Sequence, residues 1–121
     1  MVVVGIAVAG AVGAPVRYLV DRFVQSRVSG VFPLGTFVVN VTGSVILGFI
    51  VGLGLYHAFP DTPSAILGSG FCGAYTTFST FTYETLVLAE ERATGAAIAN
   101  VLLSAIVPAL AAGTGLALAA L

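Results

Sequence analysis

Gly70-Phe71-Cys72-Gly73-Ala74-Tyr75-Thr76-Thr77-Phe78-Ser79-Thr80-Phe81-Thr82-Tyr83-Glu84 is the stretch whose reading decides the fold. It crowds glycines, hydroxyls and aromatic rings together, and apolar segments flank it at the spacing of membrane helices. Polar groups at membrane depth are costly and mark function. Glycine lowers helix stability by about 1 kcal/mol relative to alanine, and Ser and Thr side chains compete for backbone groups. The reading therefore predicts a locally unwound segment between Gly73 and Ser79. Irregular backbone at that depth is tolerated only where protein buries it or where it lines a cavity. Freed carbonyls suit a hard cation such as sodium, whereas freed N–H groups and the positive end of the second half-helix suit an anion. The residues alone leave both open.

The surroundings identify the solvent. Of 121 residues, 59% are hydrophobic and 7% charged, and the mean hydropathy is +1.12; soluble domains carry about 25% charged residues. The chain reads as an all-α integral membrane protein, a single four-helix transmembrane domain over 1–121. Its spans fall at about 2–20, 34–56, 64–89 and 96–118, the third broken near its middle. Spans of about 20 residues then leave no room for a soluble domain. Met1-Val2-Val3-Val4 has no positive charge of the kind that opens a signal peptide, so the first span reads as a retained helix. The basic residues are Arg17, Arg22, Arg27 and Arg92, which form no patch for nucleic acid. The lone Cys72 reads as a packing residue.

Working outward, Gly5, Gly10 and Gly13 give span 1 a smooth face for a neighbouring backbone. Arg17-Tyr18 and Asp21-Arg22 mark the water interface beyond it. Pro33 opens span 2, along which Thr36, Asn40 and Ser44 recur at i, i+4 and i+8 and so share one helix face. Thr36 and Ser44 read equally as helix-to-helix glue or as a lining; Asn40, a full amide at depth, reads as part of a lined pathway. Gly48 and Gly52 continue the same line. His57 lies in a loop and is expected to be solvated. Glu84 and Arg17 are expected at comparable depth, as an ion pair or as a charged vestibule. In span 4, Asn100, Ser104 and Pro108 repeat the four-residue spacing, and Pro108 has no N–H for the Ser104 carbonyl. That carbonyl is available to a pore, or a kink absorbs it.

Three segments now form a recognisable set. Gly10-Ala11-Val12-Gly13-Ala14-Pro15-Val16-Arg17-Tyr18 resembles the opening Gly-x-x-Gly-Ala-x-x-Arg-Tyr of the CrcB or Fluc family of fluoride channels. Pro33-Leu34-Gly35-Thr36-Phe37-Val38-Val39-Asn40-Val41-Thr42-Gly43 is similar to that family's second-span signature, and Gly70 through Phe81 to its third. The resemblance covers essentially the whole chain. It implies two chains packed as an antiparallel, dual-topology dimer around a structural, untransported sodium ion held by backbone carbonyls, here those of Gly73 and Thr76. It implies a fluoride pore in which Phe78 and Phe81 are the aromatic lining and Asn40 the pore asparagine. The hydroxyls of Thr77, Ser79, Thr80 and Ser104 are expected beside them. A phenyl ring is positive at its edge, so ring edges with amide and hydroxyl donors can replace fluoride's water without a fixed cation, which would hold the ion too tightly for exit. Two positions depart from the pattern: Asn100 stands where the family often has tyrosine, and Pro108 where a small or hydroxyl residue is expected.

The expected function is passive export of cytoplasmic fluoride through the cell (plasma or inner) membrane, giving fluoride resistance. Arg22, Arg27 and Arg92 fall on one side of the membrane with Arg17 near it. The positive-inside rule therefore places both termini outside the cytoplasm and favours pairing with an oppositely oriented homologue over a homodimer. A proton-coupled small multidrug exporter shares the size and span number but needs a carboxylate inside the membrane, typically in span 1, which has none before Asp21. A non-conducting scaffold subunit of a heterodimeric channel is a further alternative. An enzyme is not expected: one His, one Cys and scattered carboxylates make neither a nucleophile with its base nor a metal site.

Overall fold

Apolar periodicity sustained over two dozen residues yields helices here because no other structure satisfies its backbone within the segment. A computed structural model describes the whole chain, Met1–Leu121, and helix is its only regular structure. Three helices are long and apolar enough to cross a membrane by length and composition: α1 (Val2–Gln25), α2 (Leu34–His57) and, at the end of the chain, α6 (Thr94–Ala119). Between α2 and α6 the backbone is divided. It runs as α3 (Asp61–Ala65), a π-helical segment (Ile66–Cys72), α4 (Gly73–Tyr75) and α5 (Ser79–Glu90). Thr76 is extended, with φ −76° and ψ 158°. The third region begins at Asp61, earlier than the expected 64. Pro60 is extended, and Pro63 falls in the first turn, where its missing N–H has no helical acceptor to serve.

The elements pack as two parallel pairs. In one, α1 lies along the third region in steady register: Gly5 faces Ile66, Gly10 faces Gly70, Gly13 meets the Phe71 carbonyl, and Arg17 reaches Thr76. In the other, α2 lies along α6, and glycine is required at the seam. A Cβ on Gly48 would overlap the Ala112 carbonyl oxygen, and one on Gly115 would overlap the Val45 carbonyl oxygen. Small residues let the two backbones close in, which is how helices associate in lipid, where burial of apolar surface offers no drive.

Polar contacts tie the helices together at their ends, between the pairs at one end and within the α2–α6 pair at the other. The Gly35 N–H donates to Gln25 Oε1 at 3.0 Å, and Gln25 Nε2 donates to the Phe32 carbonyl at 3.3 Å, joining α1 to α2. At the opposite end His57 is exposed, yet its Nε2–H donates to the Ala119 carbonyl at 2.8 Å. It is thus more than a solvated loop residue: it satisfies one of the carbonyls that a helix leaves open at its C-terminus. Cys72 is 1% exposed and packs as an ordinary small side chain. Large apolar side chains such as Val8, Leu19, Phe23, Ile106 and Leu110 stay on the outside, as expected where the surroundings are lipid tails.

Candidate functional site

The non-helical residues Thr76 to Phe78 are held by a single amide from α2. Asn40 Nδ2 donates to the Thr77 carbonyl at 2.9 Å, and Asn40 Oδ1 accepts the Thr77 N–H at 2.8 Å. In a continuous α-helix that N–H would bond the carbonyl four residues earlier, on Gly73. Asn40 therefore takes up a donor and releases an acceptor. The first half-helix is closed by Thr76, whose N–H and Oγ1 both donate to the Cys72 carbonyl at 2.9 Å. Thr77 begins the second: its Oγ1 accepts the Thr80 N–H at 3.2 Å and donates to Thr80 Oγ1 at 3.1 Å, with Ser79 Oγ 3.3 Å away.

Beside this break lies an open groove of about 530 Å³. Asn40, Gly73, Thr76, Thr77, Phe78, Phe81 and Ser104 all line it, with Ser44 and Pro108. Four elements and the break between two of them thus bring seven of the sequence candidates to one surface. Phe78 is 76% exposed. Its ring centroid is 5.7 Å from that of Phe81 with the planes at 51°, so the two rings are tilted rather than stacked. Ser79 and Thr80 lie elsewhere. Ser79 is exposed, and Thr80 lines a separate cavity of about 200 Å³ with Arg17, Asp21 and Thr36.

Of the two readings left open for Arg17 and Glu84, the ion pair does not form. Arg17 Nη1 donates to the Thr76 carbonyl at 3.4 Å. The parallel register of α1 and the third region sets Arg17 level with the break, about two helical turns short of Glu84. Glu84 Oε1 instead accepts the Thr36 hydroxyl at 2.9 Å, while its Oε2 is buried without a hydrogen-bond partner. Glu84 also lines a cavity of about 390 Å³ with Asp21, Arg22 and Gln25 at the α1–α2 end. Arg17 and Glu84 thus line separate cavities, with Asp21 common to both.

On α6, Asn100 is 2% exposed, and its Nδ2 donates to Thr85 Oγ1 at 2.9 Å. Thr85 was not singled out by sequence, because a threonine on a helix most often bonds its own carbonyls, as Thr85 also does to Phe81 at 2.8 Å. The available signal was Asn100 itself, since a buried amide requires partners. The π-helical winding of Ile66–Cys72 was likewise unanticipated; Gly68 and Gly70, both buried, are its only sequence trace.

Fold and site together define a multi-pass helical membrane protein with a polar groove at a helix break. The chain belongs to the CrcB family: the family model described as CrcB-like protein, Camphor Resistance (CrcB), matches residues 4–116. Among its relatives, the fluoride-specific ion channel FluC 1 of Streptomyces avermitilis is 48% identical over 94% of this chain and 89% of its own. FluC 2 of Mycolicibacterium paratuberculosis is 46% identical over 98% of this chain and 93% of its own. FluC 1 of Leifsonia xyli is 48% identical over 81% and 72%. The relatives are named as ion channels, and the family is one of channels, not enzymes.

Proposed function

We propose that this chain forms a fluoride-selective channel through which cytoplasmic fluoride leaves the cell passively, conferring fluoride resistance. The observation that carries the reading is the groove itself: Asn40, Thr77, Phe78, Phe81 and Ser104 converge on one cavity beside a helix break. The ring edges and the Asn40 amide offer partial positive charge, and no lining group carries a full one. The tilted rings of Phe78 and Phe81 can turn their positive edges to an anion. Asn40 spends one Nδ2 proton on Thr77 and keeps the second for the groove. Binding of this kind replaces water yet lets the ion leave. Ser79 and Thr80 then support the start of α5 through the Thr77 hydroxyl, and Arg17, Asp21 and Glu84 form the vestibule.

Gly73 and Thr76 suit the structural sodium that the family resemblance implies. The Thr77 N–H that would pair with the Gly73 carbonyl in a continuous helix goes to Asn40 instead, Gly73 is exposed in the groove, and unwound carbonyls are ligands of sodium in membrane proteins. These carbonyls would coordinate a sodium ion at the centre of an antiparallel dimer, each chain contributing its own pair. The Thr76 carbonyl keeps a second lone pair beyond its bond to Arg17.

The arginine distribution favours a partner of opposite orientation, as the positive-inside rule counts Arg22, Arg27 and Arg92 on one side. The discriminating experiment captures the native assembly through a tag on this chain, reconstitutes it in liposomes and follows fluoride with an electrode. Phe78→Ile with Phe81→Ile should abolish efflux. Unchanged efflux would make this chain a scaffold for a pore lined by its partner. Robust efflux from liposomes holding this chain alone would replace the heterodimer by a homodimer.

A further inference from the structure

The groove wall on α6 continues as a hydrogen-bond relay, centred on the buried Asn100, that ion passage as described does not use. Ser104 Oγ donates to Asn100 Oδ1 at 3.2 Å, Asn100 Nδ2 donates to Thr85 Oγ1 at 2.9 Å, and Thr85 Oγ1 donates to the Phe81 carbonyl at 2.8 Å. Both ends of this relay, Ser104 and Phe81, line the groove. Its middle does not, and Asn100 is 2% exposed, so little water competes for its amide.

A hydroxyl has one proton. With that proton given to Asn100 Oδ1, Ser104 turns lone pairs toward the groove, an orientation that repels an anion. The Asn100 amide has another arrangement of the same shape and reversed polarity. Turned over, Nδ2 donates to Ser104 Oγ, and the Ser104 proton is free to point into the groove. Oδ1 then accepts the Thr85 proton, which leaves the Phe81 carbonyl. No buried donor is stranded by the exchange: the bond from Thr85 to Phe81 is given up, and one from Ser104 to an anion is gained.

We propose that Asn100 is a positioning residue whose amide orientation decides whether Ser104 presents a proton or a lone pair to the groove, so that an arriving anion is sensed at Thr85 and Phe81. This rests on the fluoride-channel reading. The alternative role for Asn100 is static: a bond that holds α5 to α6.

The test is fluoride efflux from liposomes holding the native assembly with Ser104→Ala, Asn100→Leu, or both. Without the amide, the Ser104 proton falls back on the carbonyl four residues earlier in its own helix. Asn100→Leu should therefore slow efflux about 10-fold, as Ser104→Ala does, the loss of one hydrogen bond to a charged group. The double variant should be no slower than either single one. If leucine prevents assembly, judged by size-exclusion elution, Asn100→Ala removes the same amide without adding bulk and carries the same prediction. Unaltered efflux in the Asn100 variants would overturn the proposal. So would independent losses that multiply in the double variant, which a static tie predicts. Absence of fluoride efflux from the unsubstituted assembly would instead overturn the channel reading beneath it.

Discussion

Asn40 performs at one position what two or three residues would otherwise have to do. Its amide pairs with both backbone groups of Thr77, and the Gly73 carbonyl is freed as a result. Asn40→Ala leaves a part-buried N–H and C=O without partners, which costs about 1–3 kcal/mol for each buried group left unsatisfied. Thermal melting in detergent should fall and fluoride efflux should drop at least about 10-fold, the equivalent of 1.4 kcal/mol. Asn40 could be picked out from sequence because an amide at depth is conspicuous, and its spacing from Thr36 placed both on one face. The bond from Thr36 to Glu84 could not, since the two lie 48 residues apart and their spacing carries no sign of contact. Thr36→Val removes the only hydrogen bond of the Glu84 carboxylate. It should lower stability by about 1–3 kcal/mol, as expected when a buried polar group loses its partner. A melting temperature equal to that of the unsubstituted protein would contradict that assignment. The partner of Arg17 was open in the sequence for a different reason: its approximate depth is legible but the register of α1 is not, and a few residues of register decide between Glu84 and the Thr76 carbonyl.

At the scale of elements, the parallel seam between α2 and α6 is set by backbone contact. Gly48→Val or Gly115→Val places a side chain on a facing carbonyl, and no rotamer of a neighbour can relieve that overlap. Either should prevent assembly or lower the melting point steeply. Gly54, in the same helix with nothing within 4 Å of a Cβ, is the control. Gly54→Ala should leave stability unchanged or raise it by up to about 1 kcal/mol through helix propensity, read as an equal or higher melting temperature. Equal damage at Gly54 and Gly48 would contradict the seam. The long helices were readable from apolar length, although α1 runs on to Gln25, beyond the end expected near residue 20, because the polar Arg17–Gln25 segment continues the helix past the apolar span. The third region was readable only as a region: glycines and hydroxyls signal that a helix is weak there, but whether it widens, as at Ile66–Cys72, or opens, as at Thr76, depends on what α1 and α2 press against it. Gly10 and Gly13 approach the backbone of Gly70 and Phe71 from one side, and Asn40 bonds Thr77 from the other.

For the whole molecule, the arginines make an orientation that can be measured. Ser26→Cys, in the loop between α1 and α2, should react with a membrane-impermeant thiol reagent only from the cytoplasmic side. Asp61→Cys, at the start of α3, should react only from outside. Cys72 is 1% exposed and should stay silent in both. Labelling of either site from both faces would mean that the chain inserts both ways and can pair with itself.

The most direct measurement of the central claim is ion efflux from liposomes that hold the native assembly, followed with a fluoride electrode and, in parallel, a chloride electrode. The account predicts rapid loss of fluoride, retention of chloride, and loss of the fluoride signal with Phe78→Ile and Phe81→Ile. Fluoride retained by the unsubstituted assembly, or chloride released as fast, would contradict it.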